Sequence, residues 1–220
     1  MATHLRDDTN PRDAADACDE LAAGLEADEQ TAAFAVIWVA LRDRGDAMSA
    51  QARDAKRATG RARAREKVLD VSWDRHSLAF SRATLDTAGG RRDQPPHAIF
   101  YGASSASVLN DTGIDREVEF GRSVVRLLAT EVGTALRGAW ASVWETKTEA
   151  LATASRNKKD AVILEHTQSA LATLYVEDVN RELDRLEGEL LRLFPGERDT
   201  VDAFLSATRR TPKKKKNDVD

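Results

Sequence analysis

Cysteine is nearly absent from this chain. The single Cys18 excludes an internal disulfide framework and a cysteine-based zinc site. Aromatic residues make up only 5% of the 220 residues, and Ile is rare. That scarcity argues against an all-β fold, which draws on aromatic and β-branched residues. Only five prolines interrupt the chain. No apolar run is long enough to span a bilayer: the longest, Ala32 to Leu41, has ten residues, about half of what a spanning helix needs. The N-terminus carries no secretory-signal pattern, so the expected location is cytoplasmic.

What is present favours helix. Alanine, the strongest helix former, occurs 36 times. Leu, Val, Ile and Phe together number 46, a modest core supply, but 33 basic and 37 acidic residues nearly cancel, so the chain can collapse. Arginine outnumbers lysine 24 to 9, and with the abundant Ala and Asp this suggests a GC-rich bacterial genome.

The expected architecture is an all-α, elongated bundle of about five to six helices, with long antiparallel helices and one long irregular connection at about 88–113. Residues 1–9 and 210–220 are expected as disordered ends. Residues 10–209 are expected as a single helical domain, with a two-hairpin pseudo-repeat as the alternative organisation.

Local signals place the elements. Asn10 caps and Pro11 opens a first helix running to about Glu26, with Leu21 and Leu25 on one face. Asp28 is a candidate cap for a second helix ending at Gly45. Asp46 would cap a third helix from Ala47 to about Thr87, with Gly60 as its weak point and Gly89-Gly90 as its stop. In the irregular connection, Ile99 and Phe100 are expected to pin the chain. Thr112 and Asp115 resemble a capping box for a helix running beyond Trp144. Its stripe of Ile114, Val118, Gly121, Val125, Leu128, Val132, Ala135 and Ala139 alternates steps of 4 and 3, a heptad seam. A break is expected near Ser155-Arg156-Asn157. A second near-heptad seam then follows, through Leu164, Gln168, Leu171, Tyr175, Val179, Leu183, Leu186, Leu190 and Leu193. Pro195-Gly196 ends it, and a short last helix turns Val201, Phe204 and Leu205 inward.

No motif carries catalysis. Phosphate-binding glycine loops and His-Glu-x-x-His are missing. None of the four histidines has a Glu three residues before it, which excludes the di-iron bundle pattern. His76 and His166 are expected to be packing or surface residues, and Cys18 a small buried one. Ser104, Ser105 and Ser107 lack a nucleophile elbow. No catalytic, cofactor-binding or metal-ligating residue is therefore assigned, and no small-molecule ligand is expected.

Charge is segregated instead. Residues 7–29 hold nine acids against Arg12. Residues 53–67 hold Arg53, Lys56, Arg57, Arg61, Arg63, Arg65 and Lys67 against Asp54 and Glu66, and the tail adds Lys213, Lys214, Lys215 and Lys216. These eleven cations are the candidate contact for a polyanion or a partner. The segment has no interleaved aromatics to stack on bases, and its expected partner is the acidic first helix. The leading expectation for function is a non-catalytic helical bundle that works through protein–protein contact or self-association, as an assembly, scaffold or adaptor subunit. The alternative is a nucleic-acid-associated protein using the Arg-rich segment and the Lys tail.

Overall fold

Asn10 begins the first helix as its sequence predicts. Its Oδ1 accepts the backbone N–H groups of Arg12 and Asp13 at 3.0 and 2.9 Å, and Pro11, which has no N–H to satisfy, takes the first position. The computed structural model describes residues 4–6, 8–102, 106 and 112–209. Among these, 85% are helical and no strand occurs. Six α-helices are described: α1 (Pro11–Glu26), α2 (Ala35–Thr87), α3 (His97–Tyr101), α4 (Ile114–Leu128), α5 (Thr134–Leu193) and α6 (Arg198–Phe204). Short 3-10 turns occupy Ala32–Phe34, Glu131–Gly133 and Leu205–Arg209. No helix is long and apolar enough to cross a membrane.

The chain forms two compact units, Met1–Lys56 with Leu164–Asp220, and Arg57–Ile163. Both divisions fall inside helices, in α2 and in α5.

In the first unit, α1 turns Ala14, Cys18, Leu21 and Leu25 onto Trp38 of α2, onto Tyr175, Val179, Leu183, Leu186 and Leu190 of α5, and onto Val201 and Leu205. The seam of α5 is thus buried from Tyr175 to Leu190, whereas Leu164, Leu171 and Leu193 at its ends are exposed. Thr31 closes α1 by donating its hydroxyl to the Leu25 carbonyl at 2.7 Å. Asp28 makes a turn rather than a cap, accepting the Gln30 N–H at 2.8 Å. Leu5 is held by a two-way bond with the Asn180 side chain, at 2.8 and 2.9 Å.

The expected stop at Gly45 does not occur: α2 passes through Gly45 and Gly60 unbroken. The glycine at 45 serves packing. A Cβ there would overlap the Tyr175 ring, whose hydroxyl donates to the Leu41 carbonyl at 2.9 Å. Close approach of the tyrosine explains the residue that the sequence presents as a terminator.

In the second unit, Trp73, Phe80, Phe100, Tyr101, Val118, Val124, Leu128, Leu136, Trp144 and Leu151 form the core. Phe80 meets Phe100, Trp140 and Trp144 with centroids 5.0–5.4 Å apart, all edge-on, the arrangement ring quadrupoles favour. Gly89 and Gly90 stop α2 as expected, with φ of 66° and 80°, and the Gly90 N–H returns to the Leu85 carbonyl. The connection that follows contains α3. Phe100, Tyr101 and His97 anchor it, while Ile99 is 39% exposed, so the expected pin is half correct. Ser104, Ser105 and Ser107 lie outside the described residues.

Three boundaries differ from expectation here. Gly113, with φ 91°, rather than Thr112, holds the cap position of α4 without a side-chain cap bond, and Asp115 bonds Lys159 at 3.0 Å. The helix beginning at Ile114 stops at Leu128. Arg137 reaches back to the carbonyls of Leu128, Ala129 and Thr130 at 2.6–2.9 Å, satisfying acceptors that a continuous helix would use. Val132, Ala135 and Ala139 are consequently exposed. Finally, α5 runs straight through Ser155-Arg156-Asn157. Leu151, Ala154 and Ser155 are buried there, and small residues continue the contact face where large apolar ones are missing.

Candidate functional site

The Arg-rich segment is helical throughout, and each of its seven cations is exposed. Its buried positions are small or paired. Thr59 donates its hydroxyl to the Ala161 carbonyl at 3.1 Å, and Glu66, 7% exposed, takes the Lys158 ammonium at 2.7 Å. Among the described residues, Arg53 and Lys56 make no side-chain hydrogen bond or ion pair within the first unit, and neither do Arg61, Arg63, Arg65 and Lys67 within the second. In the acidic first helix, Asp19 pairs with Arg42 at 2.8 Å. Lys213, Lys214, Lys215 and Lys216 lie outside the described residues.

A different constellation lies in the second unit. Asp70 and Asp74 stand one turn apart on α2, so both carboxylates share a face. Glu117 comes from α4. One oxygen from each of the three lies within 4.8 Å of the others. Asp70 and Asp74 are half-buried, while Glu117 is only 2% exposed. Burial pushes the Glu117 carboxyl up to about 8, helped by a hydrogen bond with Asp70 and by the charges of Asp70 and Asp74. Its Oε2 is sealed from solvent without a hydrogen-bond partner.

The sequence held a signal for this glutamate. Ile114, Glu117, Gly121, Val124 and Leu128 step by 3, 4, 3 and 4, so Glu117 occupies a core position of its helix. Motif searches tuned to histidine-containing ligand sets pass over it.

The other polar candidates are structural. Cys18 is buried, and desolvation raises its thiol to about 11, which removes the thiolate a nucleophile needs. His76 rests between Trp140 and Trp144, with centroids 5.2 and 4.9 Å away, and burial lowers it to about 4. His97 stacks on Tyr101. The Thr84 hydroxyl donates to the Ser81 carbonyl and lies 2.9 Å from His97 Nδ1, so it is free to accept the Nδ1 proton.

Comparisons with protein-family models, with curated proteins and with solved structures give no match to this chain.

Proposed function

We propose that this protein is a non-catalytic helical-bundle scaffold that works through protein–protein contact, with a second copy of itself as the occupant of its apolar surface. The observation that supports this reading is a stripe on α5: Leu164, Leu171 and Leu174 are 47%, 41% and 52% exposed. Their spacings of 7 and 3 are those of a helix-pairing seam. Beside the stripe, a groove of about 530 Å³ is lined by Val36, Ile37, Ala40 and Leu41 of α2 and by Asp178 and Arg181 of α5. An apolar centre edged by charge is the usual anatomy of a specific contact. A helix that presents such a stripe is self-complementary, which is what a twofold interface requires.

Light scattering on the full chain across a concentration series tests this. The expected result is reversible association that the Leu171→Glu, Leu174→Glu double variant loses while keeping its helical spectrum. A parent protein that stays monomeric at every concentration and at low salt overturns the reading.

A second reading rests on Arg61, Arg63, Arg65 and Lys67, exposed cations that make no ion pair with the described residues of the second unit. Such a row can lie against phosphates. Converting Arg61, Arg63 and Arg65 to Glu would then weaken DNA or RNA binding and reduce its salt slope by roughly one unit per lost contact. Absence of binding by the parent at low salt rejects this reading.

A further inference from the structure

We propose that Asp70, Asp74 and Glu117 together bind one hard divalent cation in the second unit, with water completing its coordination. Three separate observations lead there. The first is geometric. Two oxygens on one cation cannot be farther apart than twice the metal–oxygen distance, roughly 4 Å for Mg²⁺ and roughly 5 Å for Ca²⁺. The three carboxylate oxygens lie within 4.8 Å of one another, close enough for small side-chain adjustments to bring them onto one cation.

The second is the state of Glu117 itself. A carboxyl group that is 98% withdrawn from solvent, with an oxygen that accepts no hydrogen bond, carries an unmet cost. Surface acids escape that cost through water. Glu117 cannot, and it points to a ligand rather than to solvent.

The third is charge. The charges that raise Glu117 are those of Asp70 and Asp74, its two neighbours in the cluster. Lys147, the base on the facing stretch of α5, is engaged with the Ser72 hydroxyl at 2.7 Å, and Lys159 with Asp115. Three carboxylates this close repel one another, and a cation held among them would relieve that repulsion. A proton shared between Glu117 and Asp70 would serve those two carboxyls and leave Asp74 outside the arrangement. A cation draws on all three carboxylates.

The donor set fixes the ion class. All-oxygen carboxylate ligands suit Ca²⁺, Mg²⁺ or Mn²⁺, and the absence of histidine or cysteine from the cluster disfavours softer metals.

The test uses the full chain stripped with chelator, then titrated calorimetrically with CaCl₂, MgCl₂ or MnCl₂, alongside thermal unfolding. The expected result is saturable one-to-one uptake of at least one ion and a higher Tm in its presence. Glu117→Gln and Asp74→Asn should each abolish both effects. Asp74→Asn, at a half-buried site, decides the matter if Glu117→Gln does not reach the parent's circular dichroism spectrum. No saturable uptake of any of the three ions overturns the proposal, as does uptake unchanged in Asp74→Asn. A Glu117→Gln protein that is more stable than the parent at pH 8 and indifferent to all three ions identifies the shared proton and overturns it too.

Discussion

Leu128 and Leu186 belong to two different cores, and each is at most 4% exposed. Neither can be truncated without leaving a void. Leu128→Ala and Leu186→Ala should each cost about 2–5 kcal/mol in denaturant unfolding, since lost burial and residual cavity add. A change below about half a kcal/mol would show that the truncated site faces solvent. His97 makes a prediction of a different kind. Burial, with repulsion from Arg92, holds it below the usual value of 6.5 for histidine. The unfolded chain therefore takes its proton first as the medium is acidified. Stability should be unaffected by this residue above about pH 7 and should decline as pH falls below about 6.5. Urea titrations at pH 7 and pH 5 check the sign, and His97→Phe should remove this residue's share of the difference while leaving that of His76.

At the scale of the element, Gly45→Ala sets two effects against each other. Alanine gains roughly 1 kcal/mol of helix propensity over glycine. The added methyl, however, must displace the Tyr175 ring and meet Ala15, and overpacking of a filled core costs about 1–3 kcal/mol. The steric loss outweighs the gain, so the variant should be less stable by thermal unfolding. Gly60→Ala has open space around it and should be neutral or stabilising. The same pair of glycines shows how far the sequence could be read. Helix class, the first seam as far as Leu128 and the interior of the second seam were legible, because 3- and 4-residue spacing reports one buried face directly. Asn10-Pro11, Gly89-Gly90 and Pro195-Gly196 were legible as boundaries, because backbone freedom or a missing N–H acts locally. Gly45 was not, since its purpose lies with a tyrosine 130 residues away. Nor was the turn after Leu128, which depends on Arg137 reaching three carbonyls behind it. For the basic segment the residues could be listed but not their partners. The carboxylate cluster was missed altogether, because Glu117 meets Asp70 and Asp74 only through the packing of α4 on α2.

For the whole molecule, the two cores share no residue, and each has its own large aromatic centre: Trp38 with Tyr175 in the first unit, Trp73 with Trp144 in the second. Substitutions without a common neighbour combine additively to within about half a kcal/mol. The Leu128→Ala, Leu186→Ala double variant should therefore lose the sum of the two single losses. A coupling energy above about 1 kcal/mol in a double-mutant cycle would show that the cores respond as one.

The closely approached glycines also determine alignment along the helix axes. Tyr175 of α5 fits against Gly45 of α2, and Thr148 of α5 fits against Gly121 of α4, where a Cβ would collide with its side chain. Each is a peg in a notch. Sliding α2 past α5 by one turn would bring Leu41 or Ser49 under the tyrosine ring, and sliding α4 by one turn would bring Glu117 or Val125 under Thr148. Long helices with repeating seams are otherwise prone to settle in neighbouring alignments of similar energy. Two notches, one in each unit and both keyed to α5, leave each pair a single seating.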